Sequence, residues 1–113
     1  MKDWIDDLNN LLPKGRVSVS QEDILDHSHD AWSVSIKTRQ QGKDDFFPDV
    51  IVYPQSEKEV STLLAWASES KVPVTPWGAG SAVTGAPLPL TGGVSLDMSR
   101  MNKILNLDQK NLT

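Results

Sequence analysis

PDVIVYPQSEKEVSTLLAWASESKVPVTPWGAGSAVTGAP, residues 48–87, decides the fold. It opens on a brief β-branched run, Val50 to Val52, that stops at Pro54, as a short buried strand does. Ser56 and Glu59 then stand in S-x-x-E spacing. That predicts a capping box: the Ser56 hydroxyl accepts from the Glu59 amide, and the Glu59 carboxylate reaches back to the Ser56 amide. Val60, Leu63, Leu64 and Ala67 recur at i, i+3, i+4 and i+7, one apolar stripe of a helix that Lys71 and Pro73 end. "VPVTP" is a second short strand. Strand, capped helix and strand make a βαβ unit with parallel strands and a right-handed crossover.

The glycine-rich stretch 76–87, "PWGAGSAVTGAP", leaves the carboxyl end of that second strand, where open α/β sheets place their ligands. It carries three glycines and no charge. Gly80 and Gly85 have the glycine spacing of a Walker A loop, but Ala86 and Pro87 stand where Lys and Ser/Thr belong, which excludes kinase and ATPase chemistry. Gly78 and Gly80 begin a G-x-G-x-x-G fingerprint, but Val83 fills its third position, and Gly85, Pro87 and Pro89 prevent a helix from starting there. Two readings remain. The loop is a plain connection between strands, or its main-chain N–H groups form an anion-binding nest to which Ser81 and Thr84 add hydroxyl donors. No Lys or Arg lies between Lys71 and Arg100, so an anion held here is held by amides and hydroxyls alone.

Around this unit the chain reads less sharply. Ile5, Leu8, Leu11 and Leu12 fall on one helical stripe, punctuated by Pro13 and Gly15. Ser20 with Asp23 predicts a short helix over residues 21–27. "IKTRQQGKDDFF" is polar and reads as a loop or irregular edge strand. After the loop, Gly92 and Gly93 allow a tight entry into a third strand, with Val94 and Leu96 on one side and Asp97 closing it. "RMNKILNLDQKN" reads as a turn and the start of another strand. The chain is therefore expected to be a piece of something longer.

The 113 residues suffice for about one domain, and 38% hydrophobic with 23% charged residues is an ordinary globular mixture. A net charge of −4 and the lack of any Lys/Arg cluster argue against a nucleic-acid partner. The absence of cysteine excludes disulfides, thiolate metal sites and Cys nucleophiles, and suits a cytoplasmic location. No signal peptide is visible, and no run approaches the ~18 apolar residues of a membrane span. His27 and His29 form H-x-H beside Asp26 and Asp30, but no further ligand is evident; a polar helix end or loop accounts for them, and no metal is expected. Of Trp4, Trp32, Trp66 and Trp77, only Trp77 lies in the loop, while Trp66 flanks the helix stripe as a core residue. The pairs Asp6–Asp7 and Asp44–Asp45 read as solvated surface charge, and Ser81 lacks the G-x-S-x-G setting of a hydrolase.

The segment 48–107, through the quoted residues 48–87 followed by "GGVSLDMSRMNKIL" at 92–105, resembles the start of the FAD-binding domain of the vanillyl-alcohol-oxidase, or FAD-linked oxidase, family. It is most similar to the branch that holds D-lactate dehydrogenase and the glycolate oxidase D-subunit, and the upstream "HSHDAWS" resembles the short motif preceding the domain in that branch. The resemblance implies an α+β fold: the first subdomain of a PCMH-type FAD-binding domain, a small parallel or mixed sheet with a βαβ unit and flanking helices. Residues 1–40 would be an N-terminal helical extension and 41–113 the first half of the domain. By position, Pro76, Trp77, Gly78, Ala79, Gly80, Ser81 and Ala82 match the pyrophosphate loop, Thr84 and Gly85 its exit toward the flavin, and Met98 and Ser99 a turn near the cofactor. Many relatives have Arg where this chain has Trp77. Relatives that bind FAD covalently through this loop place His shortly after the second glycine; here Ser81 and Ala82 follow Gly80, which implies non-covalent FAD. The family's catalytic base lies in later parts of its longer chains, so no catalytic residue is expected here and the chain alone is expected to be inactive. The implied function is a share in oxidising a small 2-hydroxy acid of glycolate or D-lactate type. The alternative is a non-catalytic nucleotide-binding or oligomerisation module that self-associates through exposed apolar surface.

Overall fold

The computed structural model describes residues 2–43 and 46–113. The elements run α1 (Trp4–Leu11), β1 (Val17–Ser18), α2 (Gln21–Asp26), α3 (Ser33–Gln40), β2 (Val50–Val52), α4 (Glu57–Ser70), β3 (Val74–Trp77) and β4 (Val94–Asp97). One four-stranded sheet has the order β1-β2-β4-β3. β4 lies between β2 and β3 and is parallel to both, with Val94 opposite Val50 on one side and Val74 on the other. β1 pairs antiparallel to β2, Val17 facing Val52. The arrangement is α+β with a mixed sheet, and β2, α4 and β3 form the βαβ unit, with β4 inserted between its strands.

Alternation along the strands divides the sheet into two faces. Val50, Val52, Val94 and Leu96 pack with Leu63 of α4 and with Leu8 and Leu12 from α1 and its end. Trp4 and Trp66 join the edge of this core, their rings 5.8 Å apart. The opposite face carries Ile51, Ser95 and Asp97, and the segment around α2 covers it, as the contact of His27 with Asp97 shows.

Helix α4 starts as its capping residues dictate. The Ser56 hydroxyl accepts from the Glu59 amide at 3.3 Å. The return bond differs from expectation: the Glu59 carboxylate takes the Gln55 amide, at 2.7 Å, and the Nε of Arg16, at 3.0 and 3.2 Å. Arg16 reaches it because its residue sits just before β1, whose pairing brings it beside the helix start. The helix ends at Lys71 in the left-handed conformation, φ 57°.

Several expectations are corrected. Leu11 and Leu64 are 38% and 47% exposed, because a sheet face accepts a narrower stripe than the periodicity offered. The polar stretch read as a loop or edge strand begins inside helix α3, anchored by buried Ser35 at its first turn. No strand follows Met98 among the described residues; 101–108 lack regular structure and 109–112 are turns. Asp6 and Asp7 are exposed, whereas the Asp44–Asp45 pair lies outside the described residues.

The Arg16 guanidinium holds the Glu59 carboxyl below its ordinary value of 4.5, with burial opposing and the Gln55 amide assisting. A lowered folded-state value stabilises the fold above the unfolded value and loses that contribution as pH falls through the folded one. Glu59→Gln is therefore expected to cost about 1 kcal/mol near neutral pH, and the deficit should shrink as pH falls below 4.5 and through the lowered folded-state value. Urea titrations across that range check it; a deficit independent of pH would show that the carboxylate's charge is not what matters.

Candidate functional site

The carboxyl ends of β2, β3 and β4 open onto one edge, and the glycine loop leaves β3 there. Its backbone has two left-handed glycines, Gly80 at φ 65° and Gly85 at φ 78°. Among the described residues, no main-chain N–H from Gly78 to Thr84 donates to a protein acceptor, nor do the Ser81 and Thr84 hydroxyls. Unpaired donors of this kind are costly unless water or a ligand takes them. Gly78, Ala79, Ser81, Val83 and Thr84 are exposed, and a Cβ added at Gly78 would meet nothing within 4 Å.

The loop is fixed at its base. Trp77 is 8% exposed, and its indole lies under the loop: a Cβ on Gly80 would come 2.4 Å from its Cζ2. The ring packs on the His27 imidazole, centroids 4.7 Å apart. The Trp77 carbonyl accepts from the Met98 amide at 3.0 Å, which joins β3 to the turn after β4. Met98 packs against the core, while Ser99 is exposed and its amide donates to Asp97 Oδ1 at 2.8 Å. Pro76 is exposed on β3, in register with Leu96. At the far end the Gly85 amide donates to Asp30 Oδ2 at 3.0 Å and the Ala82 carbonyl accepts from Ala31 at 2.9 Å.

The sequence singled out the loop, but it gave His27, Asp30 and Asp97 no part in supporting it. All three are buried. His27 Nδ1 lies 2.7 Å from the Asp23 carbonyl oxygen and Nε2 lies 2.8 Å from Asp97 Oδ2. His29, by contrast, meets only the Leu25 carbonyl. Tyr53, at the end of β2, donates its hydroxyl to Asp23 Oδ1 at 3.1 Å and lies 4.5 Å beneath the Arg100 guanidinium. Burial, then the Asp23 contact, push the Tyr53 phenol far up, so it stays protonated and is no base. Hydrogen bonds from Ser18, Ser20 and Tyr53 hold Asp23 below its ordinary value against burial. Arg100 donates Nη1 to the Gly15 carbonyl at 2.8 Å, a contact at the base of the sheet edge and not in the loop.

A mixed sheet whose parallel strands end in a cation-free loop of unpaired amides offers an anionic ligand a row of main-chain donors. The chain belongs to the FAD binding domain family, which it matches over residues 48–113, and its cofactor is FAD. It is 34% identical to the D-lactate dehydrogenase of Anaerostipes hadrus over 96% of this chain and 21% of that one. It is 39% identical to glycolate oxidase subunit GlcD of Bacillus subtilis (strain 168) over 58% of this chain and 14% of that one. Among solved structures, an alkyldihydroxyacetonephosphate synthase matches 94% of this chain and 20% of its own, at 28% identity and TM-score 0.83. p-Cresol methylhydroxylase shares the fold, TM-score 0.73 at 21% identity. The chain thus spans about a fifth or less of these proteins. The loop fits FAD: free amides, two hydroxyls and the open space at Gly78 offer what a diphosphate needs. No helix among the described residues is long and apolar enough to cross a membrane.

Proposed function

We propose that this chain supplies the diphosphate-binding loop of an FAD-dependent oxidoreductase that acts on a small 2-hydroxy acid of the glycolate or D-lactate type. The observation that carries the reading is the row of N–H groups from Gly78 to Thr84 without protein acceptors, at the carboxyl edge of the parallel strands. The likeness to a D-lactate dehydrogenase and to a glycolate oxidase subunit supports the substrate class. FAD, when bound, supplies acceptance of a hydride from the substrate α-carbon.

The chain's own part is to bind and orient. The amides of Gly78, Ala79, Gly80, Ser81 and Ala82 donate to the phosphoryl oxygens, and the Ser81 and Thr84 hydroxyls add to them. Pro76 and Trp77 set the loop's departure from β3. Gly85 turns it back, and the Met98–Ser99 turn borders it. Residues 76–87 contain no His, Cys or Tyr, which supports non-covalent attachment. No residue here is assigned a catalytic role. A cytoplasmic location belongs to the same reading, on the absence of cysteine.

A second reading, a module that associates with copies of itself, is supported by Ile104, Leu105 and Leu107, which are 87%, 85% and 69% exposed. Titrating FAD into the 15N-labelled chain tests the first. The amide signals of Gly78–Thr84 are expected to move together while those of α4 stay still. Weak binding is expected, since this chain matches only a small share of its relatives' length. Shifts confined to 104–107 would replace the first reading by the second.

A further inference from the structure

The segment His27–Trp32 precedes the part of the chain that matches the family, yet it grips the glycine loop at both ends. At the entry, His27 lies on Trp77, and the Trp77 ring is the floor beneath Gly80. His27 is itself clamped. Its two ring nitrogens face the Asp23 carbonyl oxygen and the Asp97 carboxylate, which fixes the orientation of the ring. At the exit, the buried Asp30 uses both carboxylate oxygens: Oδ1 accepts from the Trp32 amide and Oδ2 from the Gly85 amide, each at 3.0 Å. The Trp32 ring closes on Gly85 so tightly that a Cβ there would stand 2.7 Å from its Cε3. Ala31 adds the bond to the Ala82 carbonyl. Between these anchors the amides that would meet a ligand stay free.

We infer that His27 and Asp30 are positioning residues that hold the loop from Trp77 to Gly85 in its ligand-ready shape, His27 through Trp77 and Asp97, Asp30 through Gly85. The inference rests on reading the loop as a diphosphate cradle. Its physical basis is ordering entropy. A slack loop must be ordered when the ligand arrives, whereas a loop already held gives that free energy to binding. Neither side chain needs to touch the ligand to have this effect.

The test compares the chain with Asp30→Asn, His27→Ala and His27→Gln by 15N relaxation and by titration with inorganic pyrophosphate. Asparagine keeps an oxygen for the Trp32 amide but offers an N–H₂ group to Gly85. Glutamine can still donate to Asp97. In Asp30→Asn and His27→Ala the heteronuclear NOE of residues 78–84 is expected to fall. Pyrophosphate affinity, read from the Gly78, Gly80 and Ser81 amide shifts, is expected to weaken fivefold or more, with the α4 and β4 signals unmoved and His27→Gln partly restoring both. Unchanged loop relaxation and affinity in both variants would overturn the inference and leave the diphosphate reading standing. Looser loops in a chain whose wild-type amides ignore pyrophosphate would overturn the diphosphate reading and keep the clamp. Should His27→Ala fail to fold, Asp30→Asn decides alone.

Discussion

Gly93→Ala is expected to lower the unfolding free energy by about 4 kcal/mol, near the upper end of single-substitution effects. Gly93 sits at φ 82°, where an L side chain costs roughly 1–2 kcal/mol. The larger penalty is steric. A Cβ at this position would stand 2.3 Å from the backbone oxygen of Pro73. That oxygen cannot retreat freely, since it accepts from the Val94 amide at 2.9 Å. Gly93 cannot retreat either: its amide donates to Asp49 Oδ2 at 2.7 Å and its carbonyl accepts from the Asp49 amide at 2.8 Å. The residue is the wedge by which β4 enters between β2 and β3, and displacing it separates β4 from one neighbour. Gly15→Ala is the control. Its φ is 80°, but nothing lies within 4 Å of its added Cβ, so only the conformational penalty, about 1 kcal/mol, applies. Urea denaturation of the two variants measures the difference. Equal losses would mean that the strand insertion has no steric keystone at Gly93.

That wedge also marks where reading the sequence stops. Gly92 and Gly93 announced a tight entry, and Val50–Val52, the Ser56 cap and Val74 announced strand, helix and strand, because each signal is local: β-branching, a hydroxyl before a helix, a proline at a strand's end. Strand order is not local. Nothing in 48–87 reveals that β4 inserts between β2 and β3, since that depends on which edges the sheet leaves open once α4 has crossed it. The same limit hid the supports of the loop. The loop was legible from its glycines and small residues. The bonds from Asp30 to Gly85 and from His27 to Asp97 span 55 and 70 residues, and no periodicity encodes them. The "HSHDAWS" motif was visible as a resemblance and as an H-x-H pattern, and neither reveals which distant groups its side chains meet. In the other direction, Ile104 and Leu105 had strand composition, but no described strand pairs with them, and propensity without a partner edge forms no sheet.

Gly78→Ala is expected to leave stability unchanged, or raise it by about 0.5 kcal/mol through loss of unfolded-state freedom, while weakening FAD binding at least tenfold, about 1.4 kcal/mol. Neither of the usual structural demands for glycine applies at this position. Gly78 does not have a positive φ, and an added Cβ would meet no protein atom within 4 Å. Alanine fits the free chain without strain, so what remains is the space outside the loop, which a methyl group would take from an approaching phosphoryl group. Gly80 provides the contrast. Its φ is 65° and its Cβ would strike the Trp77 ring, so Gly80→Ala should weaken both FAD binding and the fold, by about 2 kcal/mol for the latter. Thermal melts and FAD titrations followed by amide shifts give the two quantities for each variant. If Gly78→Ala binds FAD as the parent chain does, phosphoryl oxygens do not approach this backbone, and the unpaired amides from Gly78 to Thr84 must serve some other acceptor.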